Sequence, residues 1–171
     1  MGIAVNFAPV LDINSNPRNP VIGYRSFGDN ITNVASAGLS YASGVEDAGV
    51  LAVAKHFPGH GDTDKDSHKT LPCLSHDKER MENFEMRPFE EFTKAGFGGI
   101  MVGHLEVPDI EPIQGIPSSA SKSFITGYIR NKFHFNGLVF TDGLAMEGAR
   151  KYPDFCVKSL MAGVDILLDP I

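Results

Sequence analysis

The strongest constraint on the fold is a repeated alternation of short apolar runs with longer helical segments. Continuous apolar runs lie at residues 3–11, 50–54, 100–107, 137–141 and 164–168. Each has the length of a strand and lacks the strict polar–apolar alternation of a half-exposed strand, which is typical of parallel strands that are covered on both faces. The alternation therefore predicts an α/β domain built on a parallel sheet.

The segments between these runs predict helices. Residues 31–48 are rich in Ala and Ser, and residues 77–95 carry charges on one face with Met and Phe at helical spacing on the other. Pro88 is expected to kink or divide the second of these helices, because proline cannot donate the backbone hydrogen bond. Further helices are predicted at 122–133 and 155–162.

Two architectures fit this alternation. Five strands suffice for an open doubly wound parallel sheet, whereas a closed (β/α)8 barrel usually takes ~250 residues, so the length of 171 residues favours the open sheet. The polar residues favour the barrel, since they follow several different strands, and catalytic residues drawn from many strand ends are typical of barrels. They lie at residues 12–14, 55–68, 104–106 and 142.

Charge and hydropathy limit the partners. The chain has 15 basic and 21 acidic residues and a formal net charge of −6. We expect no nucleic-acid partner, since such binding needs basic patches. No apolar run reaches the ~20 residues of a membrane span, and the N-terminus does not resemble a signal peptide. The two cysteines, Cys73 and Cys156, are not spaced as metal ligands.

The loop at residues 55–68 is unusually dense in polar groups, with three His and three Asp. A solvated glycine-rich loop is the plain alternative to a functional one. A metal site would use His56 and His60, which share a face only if the segment is helical, and Pro58 between them opposes a helix.

An acid–base pair is the other chemical interpretation of this loop. In an extended segment Asp66 and His68 point the same way, so the carboxylate can accept the ring N–H and raise the pKa of the imidazole. Asp142 follows a later strand and is a candidate carboxylate at a strand end. It could equally be a turn residue or a helix N-cap, because Gly143 follows it.

Five motifs, in order along the chain, resemble glycoside hydrolase family 3, and in particular its β-N-acetylglucosaminidase branch. They are NFAPVLD at 6–12, GYRSF at 23–27, KHFPGHGDT at 55–63, DSH at 66–68 and FTDGLAM at 140–146. The resemblance implies a partial (β/α)8 TIM-type barrel, with residues 1–171 forming a single incomplete catalytic-domain segment. It also implies a retaining hydrolase that removes terminal β-linked N-acetylglucosamine, with cell-wall peptidoglycan fragments as the expected source.

The resemblance assigns roles to individual residues. Asp142 matches the nucleophile, and His68 matches a general acid/base that is paired with Asp66. A histidine in this role adds no second full negative charge beside the nucleophile.

Lys55, His56 and Arg25 match residues that contact the hydroxyls of the terminal sugar. Arg25 could instead simply anchor its loop. His104 lies at a strand end and is a further candidate for substrate binding, with a core-edge histidine satisfied by backbone as the alternative.

No cofactor or metal is implied, and the expected partner is a carbohydrate with terminal β-linked N-acetylglucosamine. Open sheet edges would favour self-association. The acceptor could be water or phosphate, and a bacterial cytoplasm or periplasm is expected from the family alone. Three other functions stay open: a fragment with sugar contacts but no turnover, a metal-dependent hydrolase that uses His56, His60 and Asp62, and a β-glucosidase relative. The Asp66–His68 pair favours the N-acetylhexosaminidase branch over the last of these.

Overall fold

The computed structural model describes residues 2–64, 71–150 and 152–170. Its strands form one five-stranded sheet, in which each strand pairs in parallel with the next along the chain. The strands are β1 (Val5–Asn6), β2 (Leu51–Phe57), β3 (Gly99–Val102), β4 (Leu138–Gly143) and β5 (Ile166–Leu168).

The strand order decides between the two architectures. A doubly wound sheet reverses direction at a switch point, whereas the order β1-β2-β3-β4-β5 advances one way throughout. That is the order of a β/α barrel, and the sheet curls into a half-barrel. The prediction of a partial TIM-type barrel is confirmed, and the open doubly wound alternative is wrong.

The helices follow the predicted positions closely. They are α1 (Ile31–Asp47), α2 (Lys78–Arg80), a π-helical segment (Met81–Glu85), α3 (Arg87–Lys94), a longer π-helix (Ser123–Lys132), α4 (Glu147–Arg150) and α5 (Phe155–Ala162), with 3-10 turns at Gly23–Arg25 and Ser118–Ala120. Across the described residues, no helix has the length and apolar character needed to span a bilayer.

Pro88 divides the second predicted helix, as expected. The Met86 N–H donates to the carbonyl of Met81, five residues back, which widens the helix into the π segment. Pro88 then lies in the first turn of α3, where its missing N–H costs no helical hydrogen bond.

The two faces of the sheet are packed differently. Residues that point outward meet the helices in the main core, where aromatic side chains dominate. This core includes Ala52, Ala54, Ile100, Val102, Val139, Phe57, Phe89, Phe92 and Phe124. The alternate residues point to the concave side, where Val53, Met101 and Phe140 form a separate apolar cluster. Because side chains alternate along each strand, one set packs against the helices and the other lies inside the half-barrel.

Two predicted strands are shorter than the apolar runs suggested. The strand predicted at 100–107 ends at Val102. Beyond it, the Leu105 carbonyl accepts from the Ser118 N–H and the Leu105 N–H donates to the Ser118 hydroxyl, so Leu105 does not pair with β4. The run at 3–11 is regular only over Val5–Asn6, since Pro9 cannot donate to a ladder.

Candidate functional site

Lys55 and Asp142 lie together at the carboxyl ends of their strands. Val53 and Phe140 face the concave side, so the residues two positions later face it as well. Both line a cavity of about 590 Å³. The other lining residues are Phe7, Met101, Gly143, Ala145, Met146, Leu168 and Asp169. The cavity therefore lies next to the apolar cluster inside the half-barrel, at the carboxyl ends of the strands, and is lined by polar as well as apolar residues.

A local irregularity positions Asp142. The register between β4 and β5 shifts between Phe140 and Gly143. The Leu168 N–H donates to the Thr141 hydroxyl at 3.0 Å instead of to a strand carbonyl. Asp142 Oδ1 accepts a hydrogen bond from the Gly143 N–H at 2.8 Å. Bulges of this kind re-aim a side chain next to a site.

Lys55 is half-buried beside this carboxylate. Burial lowers the pKa of Lys55, and the positive charge of Arg25 lowers it further. The negative charges of Asp142 and Asp12 oppose both effects. The cavity thus brings a lysine and a carboxylate together with a second cation nearby.

Asp12 is the buried centre of the polar network behind the cavity. Its side chain has no exposed surface, and it accepts hydrogen bonds from the backbone N–H groups of His56, at 3.2 Å, and His60, at 2.7 Å. Burial disfavours its charge, yet the neighbouring His56 and His60 lower the pKa of Asp12 below its usual range. The carboxylate is therefore held ionised inside the protein.

Asp12 also fixes the ring of His56. His56 Nδ1 lies 2.7 Å from Asp12 Oδ2, so the carboxylate accepts the Nδ1 proton and Nε2 faces away from it. The ring of His56 is nearly buried. The contact fixes the tautomer and orientation of the His56 ring, and its role in binding a sugar hydroxyl stays a prediction.

His60 has a structural environment. Its Nδ1 lies 2.6 Å from the Thr63 hydroxyl, and burial lowers its pKa, with the charge of Asp12 opposing. Among the described residues, His56 and His60 belong to no group of three side chains whose ligating atoms lie close enough to hold one metal ion. The alternative of a metal-dependent hydrolase on these three residues therefore loses its site.

The structure places His104 under the nucleophile candidate instead of in the cavity. Its ring is fully buried, with Nδ1 2.6 Å from the Ser119 hydroxyl and Nε2 3.1 Å from the carbonyl of Gly143. The carbonyl requires a proton on Nε2, so the Ser119 hydroxyl donates to Nδ1. This favours the alternative interpretation of a histidine satisfied by its surroundings, which supports the backbone next to Asp142.

Arg25 lies on an exposed 3-10 turn. Its Nε and Nη2 donate to the carbonyl of Val21 at 3.1 and 2.9 Å, so the side chain anchors its own loop. Its charge still acts on Lys55. Asp66 and His68 lie outside the described residues, and their predicted pairing stays a prediction.

Sequence reasoning missed Asp12, Phe7 and Asp169. Asp12 directly follows the first apolar run, and in the structure Val10 of that run pairs in parallel with Lys55, next to His56. Its position after a predicted strand was the one sequence feature that could have indicated a role for Asp12. Phe7 packs edge-on against Phe140 at 5.5 Å and lines the cavity. No sequence pattern singled out Asp169, which reaches the cavity from the end of β5.

The fold and the site together define a β/α-barrel domain with its functional residues at the carboxyl ends of the strands. The chain belongs to glycoside hydrolase family 3, since the model of the Glycosyl hydrolase family 3 N terminal domain matches residues 1–170.

Similar proteins agree with this family. Beta-hexosaminidase A of Pseudoalteromonas piscicida is 40% identical over 184 residues, which cover 100% of this chain and 31% of that protein. The structure of a family 3 β-N-acetylglucosaminidase from Paenibacillus sp. str. FPU-7 matches with a TM-score of 0.95 and 43% identity, over 98% of this chain and 32% of that one. Beta-glucoside phosphorylase BglX matches with a TM-score of 0.95 and 28% identity, over 99% of this chain and 33% of that one. The chain thus spans about a third of each of these proteins.

Proposed function

We propose that the protein is a retaining glycoside hydrolase that removes terminal β-linked N-acetylglucosamine. The observation that carries this proposal is the cavity in which Asp142 and Lys55 meet at the strand ends. Its position matches the place where barrel enzymes hold their catalytic groups. The similarity to a beta-hexosaminidase and to a β-N-acetylglucosaminidase supports the choice of sugar.

In the first step, Asp142 attacks the anomeric carbon as a carboxylate and forms a glycosyl ester, while an acid protonates the leaving oxygen. In the second step, the same acid/base group takes a proton from water, which attacks the ester and releases the sugar with retained configuration. The Gly143 N–H on Oδ1 of Asp142 holds the carboxylate, so we assign bond formation to Oδ2.

We assign the acid/base step to His68, oriented by Asp66. Of the Asp–His pairs in the described residues, Asp12 and His56 are buried and engaged with each other, and Asp62 and His76 line a different cavity. We assign the pair of Asp12 and His56, with Lys55, to binding the hydroxyls of the terminal sugar.

The acid/base assignment has its own test. In His68→Gln, kcat on a substrate with a poor leaving group should fall about 10²–10⁴-fold. An activated aryl leaving group needs little protonation, so its first step should suffer far less. Because kcat/KM reports the first chemical step, an equal loss of kcat/KM on both substrates would contradict the role of His68 as the acid.

We further propose peptidoglycan fragments as the source of the sugar and water as the acceptor. The similarity to a beta-glucoside phosphorylase makes phosphate the competing acceptor. Product analysis in phosphate buffer separates the two, because phosphorolysis yields a sugar 1-phosphate. Muropeptides that carry terminal N-acetylglucosamine should be cleaved if the source is correct.

The main test is the hydrolysis of p-nitrophenyl β-N-acetylglucosaminide by the full-length protein. Activity should be abolished in Asp142→Asn and retained in Asp47→Asn, an exposed carboxylate at the end of α1. Equal activity of the wild type and Asp142→Asn would contradict the proposal. A folded wild type without any turnover would favour the alternative of sugar contacts without catalysis.

We also propose that residues 1–171 self-associate when isolated. In the described part of the chain, β1 and β5 each have a neighbour on one side only, and unpaired strand edges promote association. Sedimentation of this segment should show oligomers, and a stable monomer would contradict the proposal.

A further inference from the structure

A second cluster of polar side chains lies apart from the cavity of Asp142. Asp62 comes from the loop after β2, His76 from the segment before α2, and Glu85 from the π-helical segment. One ligating atom of each lies within 4.8 Å of the other two. The closest pair is Asp62 Oδ2 and His76 Nε2, at 2.8 Å.

Glu85 is the unusual member of this cluster. Its side chain has no exposed surface, and Oε1 accepts hydrogen bonds from the Arg80 guanidinium at 3.0 and 3.3 Å. Among the described residues, nothing donates a hydrogen bond to Oε2. A buried carboxylate oxygen without a hydrogen-bond donor is costly, and such an atom is commonly satisfied by a bound ion or water molecule.

The cluster is accessible from solvent on one side. The side chains of His76 and Asp62 are 27% and 26% exposed. Both line a cavity of about 270 Å³, together with Asp64 and Cys73. A ligand can therefore reach the two exposed donors, with the buried Glu85 behind them.

We propose that Asp62, His76 and Glu85 form a binding site for a divalent transition-metal ion, with Zn²⁺ as the best fit. An imidazole nitrogen beside carboxylate oxygens suits Zn²⁺, whereas Mg²⁺ and Ca²⁺ prefer oxygen alone. Zinc bonds of ~2.0–2.2 Å place neighbouring tetrahedral ligands about 3.3–3.6 Å apart. The present separations, from 2.8 Å up to the 4.8 Å limit, bracket that value.

The charge of the site suits a cation. Asp62, Asp64 and Glu85 supply three carboxylates. The guanidinium groups nearby are those of Arg80, which binds Glu85, and Arg18, which lines the cavity. The ionised site therefore carries a net negative charge toward the ion. Water from the cavity would take the fourth position. The ion would join the segment before residue 65 to the segment after residue 70 and to the helix that carries Glu85, which predicts added stability in the bound state.

The site differs from the metal alternative considered for His56 and His60. In the described part of the chain, Asp62 groups with His76 and Glu85 and not with His56 or His60, so only Asp62 is common to both sets. Metal binding is measured directly and does not depend on the proposed hydrolase activity, so either can fail without the other.

Titration calorimetry of ZnCl2 into the chelator-treated full-length protein tests the proposal. The wild type should bind one ion at this site, and His76→Asn and Glu85→Gln should each weaken that binding at least roughly tenfold. His134→Asn is the matched control, because His134 is exposed and lies outside the cluster. Cobalt in place of zinc should give the visible absorption of a tetrahedral site in the wild type and in the control.

Glu85→Gln carries a risk of misfolding, because Glu85 is buried. His76→Asn removes a half-exposed ligand and keeps the test valid if Glu85→Gln fails to fold. Zinc should raise the Tm of the wild type and of His134→Asn, but not that of His76→Asn. Unchanged zinc affinity in folded His76→Asn, or no zinc binding by the wild type at millimolar concentration, would overturn the proposal.

Discussion

Asp12 is the position where one isosteric change disturbs the site most. In Asp12→Asn the shape is kept, but the charge is lost and an NH2 group replaces an acceptor. The carboxylate accepts from the N–H groups of His56 and His60 and from the Nδ1–H of His56. An asparagine has one acceptor oxygen, so at least one of these buried donors loses its partner.

The magnitude follows from the three contacts. A hydrogen bond to a charged group contributes ~1.5–3 kcal/mol, and leaving a buried donor unsatisfied costs ~1–3 kcal/mol. Because the remaining oxygen of the asparagine keeps part of these hydrogen bonds, the free energy of unfolding should fall by about 3 kcal/mol. A urea m-value of about 2 kcal/mol/M converts this into a midpoint lower by roughly 1.5 M.

Urea unfolding followed by circular dichroism measures this loss. Asp47→Asn is the control, since the same change at an exposed position should stay within about 0.5 kcal/mol. If Asp12→Asn and Asp47→Asn have the same midpoint, Asp12 does not organise the network as described.

The same pair of proteins gives a pH test. The folded-state pKa of Asp12 is lowered, so its charge stabilises the fold above the unfolded pKa of ~3.9 and this contribution is lost as pH falls through the folded value. The stability difference between the wild type and Asp12→Asn should therefore be full near neutral pH and shrink below about pH 4. A difference that grows toward low pH would reverse the sign and refute the assignment.

Three further changes test other parts of the structure. Gly61→Ala would place a Cβ 1.8 Å from the backbone oxygen of Ile13, so it should lower the free energy of unfolding by more than about 3 kcal/mol in a urea melt. Gly44 lies within α1, and a Cβ there would meet no other atom, so Gly44→Ala should raise the free energy of unfolding by ~0.5–1 kcal/mol. Lys55→Met should lower kcat/KM about 10- to 100-fold in steady-state assays, because it removes the charged hydrogen bond that we propose Lys55 makes to the sugar. His104→Gln should lower kcat about tenfold with KM unchanged, since it loosens the backbone beside the nucleophile without touching substrate; a rise in KM alone would contradict this.

The architecture could be predicted because the strands are continuous apolar runs and the polar residues follow them. The sequence could not exclude the open doubly wound sheet, because chain length does not determine the order of the strands in a sheet. Strand ends were predicted less well. Leu105 is as apolar as a strand residue, yet it pairs with Ser118, a partner 13 residues away that no local pattern reveals.

The sequence places Lys55 and Asp142 near strand ends, the family resemblance singles them out as site residues, and the structure brings both into one cavity. The site was less predictable where burial decides the role. His104 occupies a strand end, but its ring turns inward to the backbone of Gly143. Asp12 is the last residue of the motif at 6–12, but its role depends on contacts with His56 and His60, which lie more than 40 positions away.

Identification of the residue that carries the covalent intermediate tests the central claim most directly. The full-length protein would be reacted with a fluorinated N-acetylglucosaminyl donor whose ester hydrolyses slowly, digested, and sequenced by mass spectrometry. We predict a sugar ester on Asp142, and no labelling of Asp142→Asn. A label on another carboxylate, or turnover with inverted configuration and no ester, would contradict it.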